Sequence, residues 1–329
     1  MTASTTKNTM ATKVTKGLSF LVIVATALVT AVTAQQPLRV LPVQGNVHMI
    51  AGAGMNLTVH VGSYGVLLVD TPSTAAAPQV IPEIRRLSDL PLRFIINTSV
   101  NADAIGGNAA LAVPPGARGG GAPFGFVGLN RASVIAHENV LNRLSNPPAG
   151  AAATPAAGLP TSTYFLPTMD FSNGEAVILY HVPNAHTDSD TIVLFRESDV
   201  ISTGAIFTPG EYPVIDVARG GSVEGLVLAL EKVLELAVPD GFASGGTQIV
   251  PGRGRISEET DVAEFRDMVA IVRDRVRDLV AKKQTLDQVK AARPSRDYDA
   301  EYGASQADAD RFVESIYRSL TQPRPTGAR

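Results

Sequence analysis

The chain has 329 residues, 45% of them hydrophobic, with 28 basic against 31 acidic side chains and a mean hydropathy of +0.12. That composition is globular, and it excludes a disordered chain and a polytopic membrane protein. A formal net charge of −3 offers no excess of cations to neutralise phosphates, so nucleic acid is not an expected partner, and zero cysteines exclude disulfides, thiolate zinc sites and thiol catalysis.

Residues 1–34 read as an export signal. Lys7, Lys13 and Lys16 form a basic start, 18–32 is an apolar run of about 15 residues, and Val32-Thr33-Ala34 offers a small-residue cleavage site. The run is shorter than the roughly 20 residues of a spanning helix. A secreted or periplasmic protein with no membrane span after cleavage is expected. Loss of the three lysines moves the formal charge from −3 to −6.

Strands are expected at 46–50, 56–61 and 65–70. In the second, Met55, Leu57, Val59 and Val61 alternate with Asn56, Thr58 and His60, which puts His60 on a polar, solvated face. His48 is a structural strand histidine on the same reasoning. A helix with a proline start follows at 78–88, then a buried strand at 92–98, and Gly106-Gly107-Asn108 opens a short helix. The glycine-rich stretch 116–128 and the Pro/Ala/Gly-rich stretch 146–160 are expected to be flexible surface loops. Neither follows a strand or carries the lysine of a phosphate-cradling loop. Between them lie a strand at 133–136 and a helix at 137–144, with His137 bonding locally at the helix start.

A second strand series runs through 175–182, which contains His181 as a structural residue, then 191–196 and 199–202. Ser222 caps a helix with Val223, Leu226, Val227, Leu230, Val233 and Leu234 at helical spacing. A strand at 247–251 precedes a long helix bearing Val262, Phe265, Val269, Val272, Val276 and Leu279 on one face, with Met268 as core filling at its border. One or two short helices are expected across 286–320, and a disordered tail over 322–329. Two strand-rich halves, each followed by helices, imply α+β packing with two sheets face to face and helices outside.

After the buried strand comes Asn97-Thr98-Ser99-Val100-Asn101-Ala102-Asp103-Ala104-Ile105-Gly106-Gly107-Asn108. It resembles the strand-to-helix turn of the metallo-β-lactamase superfamily, T-H-x-H-x-D-H followed by G-G-N. Ala185-His186-Thr187-Asp188-Ser189-Asp190 resembles that family's A-H-T-x-x-D, Ser202-Thr203-Gly204-Ala205-Ile206-Phe207 its G-D-x-F, and Pro251-Gly252-Arg253-Gly254 its P-G-H-G. Tyr212-Pro213-Val214-Ile215-Asp216 and the long C-terminal helix are similar to an exported subgroup. The resemblance covers about residues 47–280. It implies a four-layer αββα sandwich over 38–282, with a C-terminal helical extension over 283–321 and a site at the sheet-edge loops.

The resemblance also implies a pair of zinc ions that activate water. The first two histidine positions are Ser99 and Asn101 here. The aspartate is kept as Asp103, the next histidine is Ala104, and the second-segment histidine is kept as His186. The bridging aspartate is Ala205 and the last histidine is Arg253. Neutral Ser and Asn oxygens are weak zinc donors, Ala donates nothing, and a guanidinium repels a dication. In the family pattern the two survivors, Asp103 and His186, serve different ions. The expectation is therefore no cofactor, an Arg253–Asp103 ion pair or an Arg-bound anion, and a protein that binds a small molecule or protein partner. Two alternatives stay open: a Ser99 nucleophile with His186 as base and Asp103 as orienter, and a rearranged one-ion site built from His186, Asp103, Asp188 and Asp190.

Overall fold

Alternation of apolar side chains along strands explains how the layers form. In a computed structural model describing residues 1–3, 37–113, 131–148, 150, 152–241 and 245–322, the strands make two sheets. The expected signal at 1–34, the glycine-rich stretch 116–128 and the tail beyond Gln322 lie outside the described residues, apart from residues 1–3. The chain divides into two units, Met1–Gln35 and Gln36–Arg329, and the fold lies in the second.

The first sheet runs in order β1 (Arg39–Gln44), β2 (Val47–Ala51), β3 (Leu57–Gly62), β4 (Gly65–Val69), β5 (Leu92–Asn97), β6 (Ser133–His137) and β7 (Ser162–Tyr164). β1 to β4 form an antiparallel meander, and β4 to β7 are parallel. Helix α1 (Ala77–Leu87) makes the crossover from β4 to β5, with proline in its first turn and Arg85 and Arg86 at its negative C-terminal end. The second sheet contains β8 (Thr168–Ser172), β9 (Glu175–Val182), β10 (Asp190–Phe195), β11 (Val200–Gly204) and β12 (Gln248–Pro251), in spatial order β12-β11-β10-β9-β8.

Period two sorts the core into three layers. On β4, Val66 and Leu68 face α1, whereas Leu67 and Val69 face the other sheet. On β10, Val193 and Phe195 meet that inter-sheet layer, and Ile192 and Leu194 turn outward to helices. Those helices are α5 (Val223–Leu236), α6 (Glu259–Ala281) and α9 (Gln306–Thr321). Ser222 caps α5 through Oγ, which accepts from the Gly225 amide at 2.9 Å. The arrangement is the expected αββα sandwich. Among the described residues no helix is long and apolar enough to cross a membrane.

Several local expectations change. His60 is completely buried, because the polar face of β3 meets the second sheet and not solvent. Thr58 Oγ1 donates to Ser202 Oγ at 2.9 Å, and His60 Nε2 lies 2.9 Å from Glu175 Oε1. Strands β1, β7 and β8 escaped the sequence pattern. β1 and β8 lie at sheet edges with much of their surface exposed, and β7 has only three residues. The stretch 146–160 is partly ordered by a 3₁₀ turn at Ala156–Gly158, whose Gly158 carbonyl accepts from Asn108 Nδ2 at 3.1 Å.

The C-terminal segment is longer and better integrated than one or two short helices. Besides α9 it holds α7 (Leu286–Ala291) and α8 (Asp299–Tyr302), and Phe312, Val313 and Ile316 of α9 are buried in the same core as α5 and α6. Met268 fills that core as expected.

Candidate functional site

The C-terminal ends of β4, β5, β11 and β12 converge with the loop before β10, the edge at which open α/β sheets place ligands. Beneath it lies a buried carboxylate. Asp70 Oδ1 accepts from the Thr98 amide at 2.7 Å, and its Oδ2 from Thr98 Oγ1 at 2.6 Å. Burial pushes its pKa up to about 8 against the pull of those two bonds, and burial likewise raises Asp190 to about 6.

A carboxyl that holds its proton more tightly folded than unfolded stabilises the fold at low pH. That stability is lost as pH rises from about 3.8 through about 8 for Asp70. Asp70→Asn keeps an acceptor for the Thr98 amide and offers a donor to the hydroxyl. It should remove up to about 1.4 kcal/mol per pH unit of slope across that window. Urea melts of both proteins from pH 4 to 8 measure it, and parallel pH curves would contradict it.

From β5 the chain turns through Ser99 into α2 (Ala102–Ile105) and α3 (Asn108–Leu111). Asn97 and Asn108 exchange amide bonds at 3.0 and 2.9 Å, while Asn108 Oδ1 also accepts from Thr71 Oγ1. A Cβ on Gly106 would fall 2.5 Å from the Ala102 carbonyl oxygen. The G-G-N segment thus serves the architecture of the turn.

The loop before β10 is pinned from two sides. Asp190 accepts from the Thr187 amide at 2.6 Å and from Thr187 Oγ1 at 2.8 Å. Asp188 takes a bidentate pair from Arg143 of α4 (Glu138–Ser145), at 2.8 and 2.6 Å. The Asp188 carbonyl accepts from Asn139 Nδ2 and from His181 Nε2. His181 stacks on His137 with centroids 3.5 Å apart, and His137, pushed down to about 4 by burial, caps α4 through Nδ1. Both histidines are structural, as expected. His48 stays half-buried on β2.

His186 is held at both ring nitrogens. The Val214 carbonyl lies 2.5 Å from Nδ1. A carbonyl only accepts, so Nδ1 carries the proton and Nε2 accepts from Asn101 Nδ2. Asn101 Oδ1 in turn accepts from Arg219 Nη1 at 3.1 Å, and the same nitrogen donates to Asp216 Oδ2 at 3.1 Å. On the opposite wall Arg253 Nη2 donates to Asp103 Oδ2 at 3.0 Å, the expected ion pair, and Nη1 lies 3.9 Å from Glu211. Gly252 lets that turn pass under the site, because a Cβ there would sit 2.4 Å from the Gly204 carbonyl oxygen.

Asn101, Asp103, His186, Ala205 and Arg253 line one cavity of about 460 Å³, together with Met55, Val214, Arg219 and Glu211 among others. Ser99 and Ala104 do not line it. Both are buried, Ser99 with Oγ accepting from the Asn101 amide and Ala104 with its carbonyl accepting from Thr71 and Asn97. That burial is a correction to the sequence reading, and Ser99 makes no hydrogen bond to His186 among the described residues. The four-residue one-ion set is not gathered either, since Asp188 faces Arg143 and Asp190 faces Thr187. Among the described residues no group of three or more His, Cys, Asp or Glu could hold a metal ion.

The zinc pair implied by the sequence resemblance does not fit these donors. The Nε2 lone pair that would bind it takes the Asn101 amide proton, and the Asp103 carboxylate faces a permanent cation. Sequence reasoning missed Arg219, Glu211 and Arg143, which carry no motif. The Tyr212–Asp216 segment was the one available signal, and it supplies the Val214 carbonyl and the Asp216 anchor.

No protein-family model matches the chain, and no curated protein matches it. Solved structures do. A metallo-β-lactamase from Pontibacter korlensis is 14% identical with a TM-score of 0.54, over 71% of this chain and 99% of that one. The metallo-β-lactamase DIM-1 is 13% identical with a TM-score of 0.52, over 71% and 98%. The stereoselective inverting sec-alkylsulfatase Pisa1 from Pseudomonas sp. is 14% identical with a TM-score of 0.60 over 86% of this chain, which spans 50% of the sulfatase. The shared feature is the metallo-β-lactamase fold.

Proposed function

We propose that this chain, with its metallo-β-lactamase fold, is an exported binding protein that works without a metal ion and is not a zinc hydrolase. Its cleft receives a small molecule or a protein partner. One observation carries the reading: both surviving ligand positions are engaged by the residues that replaced the others, His186 by Asn101 and Asp103 by Arg253.

An ion bound only to the folded state raises the melting temperature by mass action. The melting temperature of this protein should therefore stay within about 1 °C whether chelator, zinc or neither is present, and elemental analysis should find zinc far below one equivalent. A fall of several degrees on chelation would overturn the reading. Export is supported by the basic and apolar pattern of residues 1–34. Amino-terminal sequencing of material recovered outside the cytoplasm should begin at Gln35.

A further inference from the structure

The two arginines of the cleft are used unequally. Arg253 lies between Asp103 and Glu211, so its charge is answered on the spot. Arg219 is ion-paired too, with Asp216 Oδ2 at 3.1 Å, but it makes both of its side-chain bonds, to Asp216 and Asn101, through Nη1 alone. Its Nε and Nη2 have no hydrogen-bond partner among the described residues, and that edge is the fork that meets both oxygens of a carboxylate.

Arg219 is also held in place. Its backbone amide donates to Asp216 Oδ1 at 3.0 Å, closing a 3₁₀ turn that ends at Gly220, whose φ is 85°. Asn101 cannot turn its amide over, because Nδ2 is committed to His186 and Oδ1 to Arg219. A guanidinium fixed in this way loses little freedom when an anion arrives. Around it, Met55, Ala102, Ala205 and Val214 give the cavity apolar surface, and about 460 Å³ is the size of a small-ligand site.

We propose that the cleft binds a small organic carboxylate with an apolar body, the carboxylate on the Nε/Nη2 edge of Arg219 and the body against those apolar residues. The proposal rests on the metal-free reading above.

Phenylacetate, phenylacetamide, acetate and inorganic sulfate serve as probes, titrated calorimetrically into chelator-treated full-length protein. Phenylacetate should bind at least tenfold more tightly than each of the other three. Arg219→Gln should weaken phenylacetate about 10- to 100-fold, the range for a hydrogen bond to a charged group, without changing the response to phenylacetamide. Arg219→Lys should recover only part, since an ammonium has no fork. Arg219 is half exposed, so unchanged melting temperatures in both variants verify the fold.

Equal phenylacetate binding by parent and Arg219→Gln overturns the assignment to Arg219. Sulfate binding as tightly as phenylacetate overturns the carboxylate class, and no phenylacetate binding at millimolar concentrations overturns the proposal as a whole. Binding that appears only after zinc is added overturns the metal-free reading instead, so the two failures are distinguishable.

Discussion

Glu175→Ala is expected to cost about 3–5 kcal/mol. Glu175 closes the end of the sandwich away from the cleft. Its Oε2 accepts from the amides of Glu197 and Ser198 at 3.0 Å, and its Oε1 accepts from Ser198 Oγ at 2.6 Å and touches His60 of the other sheet. Removing the carboxylate leaves the buried amide and hydroxyl of Ser198 without an acceptor, where each missing bond costs its full desolvation, while the Glu197 amide belongs to an exposed residue. For a chain of this size the loss corresponds to a fall in melting temperature of roughly 5–10 °C.

The pH dependence gives a second readout for the same variant. Burial alone would raise the pKa of Glu175, but the contacts from His60 and Ser198 outweigh it and hold the carboxyl below its ordinary value of 4.5. A depressed carboxylate contributes stability above the unfolded pKa and loses it as pH falls through the folded one. The variant should therefore lose less stability than the parent below about pH 4.5. His60→Leu combined with Glu175→Ala should cost clearly less than the sum of the two single changes. Additive losses would mean that the inter-sheet contact contributes nothing.

Phe312→Ala should cost a comparable 3–5 kcal/mol, and its effect should reach the cleft. Phe312 is buried on α9 and stacks on Tyr212 with centroids 4.7 Å apart and planes 17° apart. Tyr212 lines the cavity, donates its hydroxyl to Asp299 at 2.9 Å and its amide to the Tyr302 carbonyl at 3.0 Å. The wall that carries Val214, Asp216 and Arg219 is therefore backed by the C-terminal helices. Hydrogen exchange of the Tyr212 amide should quicken in this variant. Phe171→Ala, on the exposed edge strand β8, should leave both stability and exchange unchanged. Unaltered exchange in Phe312→Ala would separate the C-terminal helices from the site.

The fold was legible because its signals are local. The apolar runs of β4 and β10, the proline start of α1, the Ser222 cap and the apolar stripe of α6 each lie within one element, and each matches the layer that element joins. The residues at the positions where the resemblance places metal ligands were legible for the same reason, since the matched segments locate those positions along the chain. Partnership across the chain was legible at Arg253 and Asp103, two positions the resemblance brings together, and not elsewhere. The sequence put Thr58 and His60 together on one face of β3, but a second sheet, contributed by residues far downstream, made that face interior.

The sequence by itself implied two sheets face to face with helices outside, and its resemblance to a family implied the four-layer sandwich and the substituted ligand positions Ser99, Asn101, Ala104, Ala205 and Arg253. Only the tertiary structure decided what most of them touch. Asn101 meets Arg219 from 118 positions away and His186 from 85, and neither contact was expected, whereas the Arg253–Asp103 pair, 150 positions apart, was already implied by the resemblance. No spacing rule connects residues so far apart. Their contact exists because β5, β11 and β12 end at the same edge, and the free fork of Arg219 follows from which of its nitrogens that edge already occupies.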